Sequence, residues 1–146
     1  MADLPEEEST QRQYRWDDAE WGNAEQEQIP QTRSGARQLA LRALYWESAN
    51  PGQLSEALSQ LGEACGLTTQ LRLFAEQVAQ AAVTHRVELD ELIRENATNW
   101  APERIARLDG LILRLALAEL LHVEDIPARV TIHEAVELAK SYGGGQ

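Results

Sequence analysis

The chain has 146 residues, 43% hydrophobic and only 5% aromatic, which is enough apolar mass for one domain with a mainly aliphatic core. Its lone cysteine, Cys65, excludes an internal disulfide. The chain lacks an uncharged run of about 18 residues, which excludes a membrane span, and its acidic start excludes an apolar signal sequence. A cytoplasmic protein is therefore expected. The formal net charge of −11 argues against nucleic-acid binding unless the bases are gathered on one face.

Residues 1–32 are predicted to form an acidic and mostly disordered tail. The first thirty residues carry nine acids and two arginines, a net charge of −7, and show neither a helical nor a strand period. Tyr14, Trp16 and Trp21 leave a second interpretation open, since aromatic residues among acids can dock on a basic or apolar surface. The segment is therefore either a solubilising tail or a docking segment.

Residues 33–146 are predicted to form a helical domain. A first helix from about Ser34 to Ser48 carries an apolar stripe with Leu41, Leu44 and Tyr45, and the turn "ANPG" ends it. A second, short helix from about Gln53 to Cys65 ends at Gly66, a residue type that commonly follows the last turn of a helix. Cys65 is interpreted as a packing residue.

The third predicted helix is the longest and runs from about Thr69 to Asn96. Positions 71, 75, 78, 82, 85, 89 and 92 hold Leu, Ala, Val, Ala, His, Leu and Leu, a repeat that is typical of a bundle seam. His85 is interpreted as a core or rim histidine with a hydrogen-bond partner. No other histidine, cysteine or carboxylate pair lies at ligand spacing along the sequence, so no metal site is predicted.

A fourth helix is predicted from about Pro102 to His122, after the linker "NATNWAP". It is apolar almost all round between Leu111 and Leu121, so it should lie in the middle of the bundle. Its polar interruptions must each reach water, a buried partner or another molecule; they are Arg107, Asp109, Arg114 and Glu119.

A fifth helix is predicted from about Val130 to Tyr142, with Ile132, Val136 and Ala139 facing inward. No segment shows the alternation of a strand. The predicted fold class is therefore all-α, a compact bundle of about five helices behind a disordered acidic tail.

Catalytic chemistry is not supported by any motif. The run from Gly143 to Gly145 follows a helix, whereas a phosphate-binding glycine loop precedes one. His133 and Glu134 adjoin, but the second histidine of a zinc-protease motif is absent. The three histidines and one cysteine form no metal-binding pattern, so we expect neither an enzyme nor a cofactor.

The arginines of the first helix are the candidate phosphate ligands. Arg33 and Arg37 are four residues apart and share a face, whereas Arg42 points elsewhere. Tyr45 lies two turns beyond Arg37, so guanidinium groups and an aromatic ring occur together. Such a set can hold single-stranded RNA by phosphate pairing and base stacking; the alternative is a solvated arginine face beside a core tyrosine.

Three segments resemble the NusB family over about residues 33–144. They are "ARQLALRALYWES" at 36–48, "NWAPERIARLDGLILRLALAELLHVEDIP" at 99–127 and "VTIHEAVELAKSYGG" at 130–144. The resemblance implies a compact all-α bundle that binds boxA-type single-stranded RNA together with NusE, a small-subunit ribosomal protein. The pair would join a transcription elongation complex with other Nus factors and promote antitermination, especially on ribosomal RNA operons.

The resemblance also implies roles for individual residues. An arginine-rich segment that opens the first helix contacts RNA in the family, and here Ser34 and Gly35 thin that motif. Asp109 matches an acidic position that the family uses toward its protein partner. The RNA-binding candidates are Arg33, Arg37, Arg42 and Tyr45.

Family members normally continue beyond the glycine turn into one further helix that packs on the bundle. Three explanations are open: the sequence is a fragment, the acidic tail or a second subunit covers the gap, or the fold is marginally stable. Two other functions are also open. The chain could be a NusB-like protein-interaction or RNA-docking module without antitermination activity, or its tail could compete with RNA for the arginines.

Overall fold

The computed structural model describes residues 29–97 and 107–143, which form six α-helices. These are α1 (Arg33–Ala49), α2 (Leu54–Cys65), α3 (Thr69–Thr84), α4 (Arg86–Asn96), α5 (Arg107–His122) and α6 (Ala128–Leu138), and a π-helical turn (Ala139–Gly143) continues α6. The described residues contain no strand, which confirms the predicted all-α class. Residues 1–28 of the predicted tail, most of the tryptophan linker and the last two glycines lie outside the described residues.

Helix α1 is the most deeply enclosed element of the bundle. Thr32 caps its first turn by accepting a hydrogen bond from the backbone N–H of Gly35 at 3.2 Å. The helix packs against α2, α3 and α5, and Leu39 and Leu41 are among the most completely buried side chains. Helix α5 contacts α1, α3, α4 and α6, which is the central position predicted for it.

The predicted single helix over residues 69–96 is wrong, because the chain leaves the helical conformation at His85. This residue has φ −104° and ψ 25°; it ends α3 and precedes α4. The apolar seam nevertheless continues across the break, since Val78, Ala82 and Leu89 are all buried. Periodicity therefore predicted the buried side of both helices but could not detect a break that preserves the register.

The predicted inward face of the last helix is wrong at two of its three positions, since Ala139 packs against the core but Ile132 and Val136 do not. Ile132 is 56% exposed and Val136 is 47% exposed, whereas Thr131 and Leu138 are buried. The Thr131 hydroxyl donates a 2.7 Å hydrogen bond to the carboxylate of Glu119 on α5. The side of α6 that carries Thr131 and Leu138 therefore faces α5. Ile132 and Val136 are four residues apart, so they share one face of α6 that the described residues leave uncovered.

The segment from Ile29 to Thr32, which sequence analysis assigned to the tail, lies against the bundle. Ile29 is buried in the core. The Gln31 amide donates to the Gly66 carbonyl at 2.7 Å and accepts from the Thr68 N–H at 3.2 Å. A Cβ on Gly35 would overlap the Pro30 carbonyl oxygen, so glycine allows this segment to cross α1.

Among the described helices, none combines the length and the apolar character that a bilayer span requires.

Candidate nucleic-acid interface

Arg33 is the exposed cation at the start of α1. Its Cζ lies 4.5 Å from the centroid of the Phe74 ring on α3, a distance that fits a cation–π contact. Within residues 29–97 and 107–143, Arg33 makes no hydrogen bond or salt bridge. Its guanidinium is thus positioned by an aromatic face, and the described residues leave its N–H donors open to a ligand.

Arg37 lies on the same side of α1 as Arg33, as predicted. Its Cζ is 5.2 Å from the centroid of the same Phe74 ring. Unlike Arg33, however, Arg37 is only 3% exposed. Its Nε and Nη2 donate to the two carboxylate oxygens of Glu119 at 2.8 and 2.6 Å. The predicted phosphate contact does not fit this geometry, because the guanidinium is buried and already occupied by a carboxylate.

The Arg37–Glu119 pair is part of a network that joins α1 to α5 and α6. Thr131 donates to the same carboxylate at 2.7 Å, and Ser34 donates to Glu134 at 2.7 Å. Glu134 also lies 3.8 Å from Nη1 of Arg37. The acid that interrupts α5 thus has the buried partner that sequence analysis required, and the network fixes how α1 is seated.

Arg42 points away from Arg33 and Arg37, as predicted, and is buried. Its Nε and Nη2 donate to the Tyr142 hydroxyl oxygen at 3.1 and 3.0 Å. The Tyr142 hydroxyl in turn donates to Oε1 of Gln38 at 2.9 Å. Arg42 therefore joins α1 to the π-helical turn, and the predicted RNA contact again does not fit a buried, bonded guanidinium.

Tyr45 lies toward the opposite end of α1 from Arg33, twelve residues or about 18 Å along the helix axis. The ring is buried, and the guanidinium of Arg107 lies over it with Cζ 5.8 Å from the centroid. Arg107 is exposed and donates to the Ser48 hydroxyl at 3.1 Å. The four predicted RNA contacts therefore do not form a single patch, and the exposed cation beside Tyr45 was not among them.

Asp109 is half-buried in the first described turn of α5, two residues beyond Arg107. The remaining interruption of this helix, Arg114, is paired with Asp90 on α4 at 2.7 Å. Asp109 is thus a partly accessible carboxylate on the central helix, which is compatible with the predicted contact to a protein partner.

One cluster of side chains that the sequence did not indicate is assembled by the fold from two places in the chain. His85, Glu88 and His122 bring their donor atoms within 4.8 Å of one another. The spacing of His85 and Glu88 placed both on one helical face, but His122 follows only after 34 further residues. Nothing in the local sequence therefore indicated the third member.

Comparison with known proteins shows the family to which the chain belongs. The family model described as "NusB family" matches residues 34–146. A transcription antitermination protein NusB from Trichlorobacter lovleyi is 40% identical over 111 residues, which cover 76% of this chain and 78% of the relative. The protein of the same name from Bacillus subtilis is 37% identical over 111 residues, which cover 76% and 82%. No solved structure matches this chain.

Proposed function

Because the chain belongs to the NusB family, we propose that it is a transcription antitermination factor that binds boxA-type single-stranded RNA together with NusE and promotes transcription of ribosomal RNA operons. The family match over residues 34–146 carries this proposal, and the antitermination role is the one for which the relatives are named. The role is one of binding and regulation rather than of catalysis.

Arg33 is the residue that we assign to the RNA phosphates. It is exposed, its guanidinium rests on Phe74, and its donors are not engaged within the described part of the chain. Guanidinium groups bind phosphate through paired, charge-assisted hydrogen bonds. Resting on a ring reduces the conformational freedom that Arg33 would lose on binding.

Tyr45 and Arg107 are assigned to a second contact at the other end of α1. A guanidinium that covers an aromatic ring offers a flat, cationic surface on which an unpaired base can stack. Arg37 and Arg42 have a structural role in this proposal, whereas the sequence predicted that they contact RNA. They hold α1 against α5, α6 and the π-helical turn, and so fix the positions of Arg33 and Tyr45.

Asp109 is assigned to the surface that contacts NusE. Asp109 is half-buried on the central helix, two positions beyond Arg107. An acidic side chain in that place would attract a basic surface, and ribosomal proteins are commonly basic because they contact RNA phosphates. The RNA and protein contacts would then lie on different sides of the start of α5.

The proposal is tested by measuring the affinity of the chain for a boxA-type single strand and for a scrambled strand of equal length, with and without NusE. We expect NusE to raise the affinity for the boxA-type strand more than for the scrambled strand. We also expect log K to fall linearly with log salt concentration, by about 0.7 for each phosphate contact. A NusE effect that is equal for both strands would contradict the proposal.

One structural observation favours the second candidate, an RNA-docking or protein-interaction module without antitermination activity. Of the three arginines predicted on α1, only Arg33 is exposed, while Arg37 and Arg42 are buried. Fewer phosphate contacts give a weaker dependence on salt. A shallow salt slope combined with indifference to strand sequence would support this second function over the first.

A further inference from the structure

Two histidines and a glutamate from two separate parts of the chain meet at one edge of the bundle. His85 joins α3 to α4, Glu88 lies in the first turn of α4, and His122 is the last residue of α5. Oε1 of Glu88 is 3.3 Å from Nδ1 of His85 and 3.4 Å from Nε2 of His122. A single carboxylate oxygen thus lies between two imidazole nitrogens.

We propose that His85, Glu88 and His122 form a binding site for one divalent transition-metal ion, with Zn²⁺ as the best fit. Zinc bonds to histidine nitrogen and carboxylate oxygen are about 2.1 Å long, so two donors at the tetrahedral angle lie about 3.4 Å apart. Both separations from Glu88 match that spacing. Two imidazoles with one carboxylate suit zinc and its neighbours, whereas calcium and magnesium prefer oxygen ligands throughout.

A second, independent observation is the state of the His122 ring. Its Nε2 atom is shielded from solvent and has no hydrogen-bond partner among the described residues, because the 3.4 Å approach to Glu88 lacks hydrogen-bond geometry. A polar atom that is buried without a partner is uncommon and destabilising in folded proteins. Coordination of a metal ion would supply the missing partner for this nitrogen.

The two imidazole rings are stacked, with centroids 3.6 Å apart and planes inclined by 3°. An ion shared by both nitrogens cannot lie in two parallel ring planes, so at least one ring must rotate on binding. The side chains of His85 and His122 are 36% and 25% exposed, which leaves room for that rotation. Glu88 is half-exposed, so water can complete the coordination of the ion.

Metal binding would restrain the start of α4. This helix begins at the break at His85 and buries only two of its side chains, Leu89 and Ile93. An ion held by His85, Glu88 and His122 would tie the start of α4 to the end of α5. The site therefore acts on stability, and its existence does not depend on the proposed RNA-binding function.

The direct test uses the full-length chain without an affinity tag, stripped of metal with a chelator and titrated with Zn²⁺ by calorimetry. We expect one ion bound per chain. At a Zn²⁺ concentration a hundredfold above Kd, we expect the Tm to rise by about 5 to 10 °C and to return when chelator is added. Co²⁺ should give the visible absorption of a low-symmetry site with nitrogen ligands.

Variants connect the binding to these side chains. His122→Gln and Glu88→Gln should each weaken Zn²⁺ binding by at least about tenfold. His133→Gln is the matched control, because His133 is an exposed histidine outside the cluster, and it should bind as the parent chain does. Glu88→Gln should also leave the rest of the fold undisturbed, since both ion contacts of the half-exposed Glu88 lie within the cluster. Absence of stoichiometric binding, or binding that survives both cluster variants, would overturn the proposal.

Discussion

Arg37 and Glu119, separated by 82 residues in the chain, form a two-pronged ion pair in which both side chains are at most 4% exposed. The pair joins the entry of α1 to the end of α5. Arg37, which the sequence suggested as a ligand-binding residue, is therefore an interior residue. The seating of α1, and with it the position of Arg33, depends on this contact.

Glu119→Ala should destabilise the fold strongly. The substitution leaves the Arg37 guanidinium buried without its counter-charge, and removing one partner of a buried pair costs about 3–5 kcal/mol. Urea unfolding measures the loss. Glu137→Ala is the control, since its partner Lys140 is exposed and the 3.6 Å pair contributes at most about 1 kcal/mol.

The double variant Arg37→Met with Glu119→Leu separates charge pairing from packing. Apolar residues of similar volume can replace a buried ion pair at little cost or with a gain in stability. We therefore expect the double variant to recover most of the stability that Glu119→Ala loses. Equal loss in the single and double variants would contradict the attribution of the Glu119→Ala loss to an unpaired buried charge.

Gly35→Ala should destabilise the bundle or displace the segment before α1. A Cβ at this position would overlap the Pro30 carbonyl oxygen and lie 2.7 Å from Cγ2 of Ile29, so the backbone itself must move. Overpacking of this kind costs about 1–3 kcal/mol in the free energy of unfolding. Urea unfolding, with tryptic cleavage near the segment as a second readout, measures the effect.

Gly62→Ala provides the matched comparison in a second helix. There the added Cβ meets Nε of Arg72 at 2.8 Å, which belongs to a flexible and partly exposed side chain that can shift. Alanine also favours the helical conformation over glycine by up to about 1 kcal/mol. We expect the free energy of unfolding of this variant to be unchanged or slightly higher. A decrease as large as that of Gly35→Ala would contradict the explanation by overlap with the Pro30 carbonyl.

Tyr142→Phe should lower stability by about 1–3 kcal/mol. The hydroxyl accepts from the buried Arg42 and donates to Gln38, so its removal leaves a buried charge with fewer hydrogen bonds. Ser141→Ala, at the exposed neighbouring position, is the control and should change stability by less than about 0.5 kcal/mol. Similar unfolding midpoints for the two variants would show that Arg42 does not depend on this hydroxyl.

Asp109→Asn should weaken NusE binding by about tenfold while leaving the affinity for RNA alone unchanged. The substitution keeps the size of the side chain and removes the charge that we assign to the protein partner. Calorimetry with NusE measures the first effect, and titration with a boxA-type strand measures the second. Glu124→Gln, an exposed acid in the turn after α5, is the control. Equal losses for Asp109→Asn and the control would point to general charge attraction instead.

The helices were predictable because their stabilising interactions are local or periodic. The apolar stripe of α1, the glycine after α2 and the seam through Val78 and Leu89 each indicated a helix and its buried side. The break at His85 was not predictable, because both helices continue the same seam. The orientation of α6 was missed because a threonine, through its bond to Glu119, faces inward in place of Ile132.

The candidate site was less predictable than the fold, since each error concerns a partner that is distant in the chain. Sequence spacing correctly placed Arg33 and Arg37 on one side of α1, but Glu119 decides which of the two is accessible. The metal-ligand cluster depends in the same way on His122, which only the packing of α5 brings to His85.

The role of Arg33 in RNA binding is tested by the affinity of Arg33→Ala for a boxA-type single strand in the presence of NusE, over a range of salt concentrations. We expect a loss of about tenfold at low salt and a salt slope reduced by about 0.7. Arg129→Ala, which removes another exposed arginine near the start of a helix, should leave both values unchanged. Equal binding by Arg33→Ala and the parent chain, or an equal loss in Arg129→Ala, would contradict the assignment of Arg33 to the RNA.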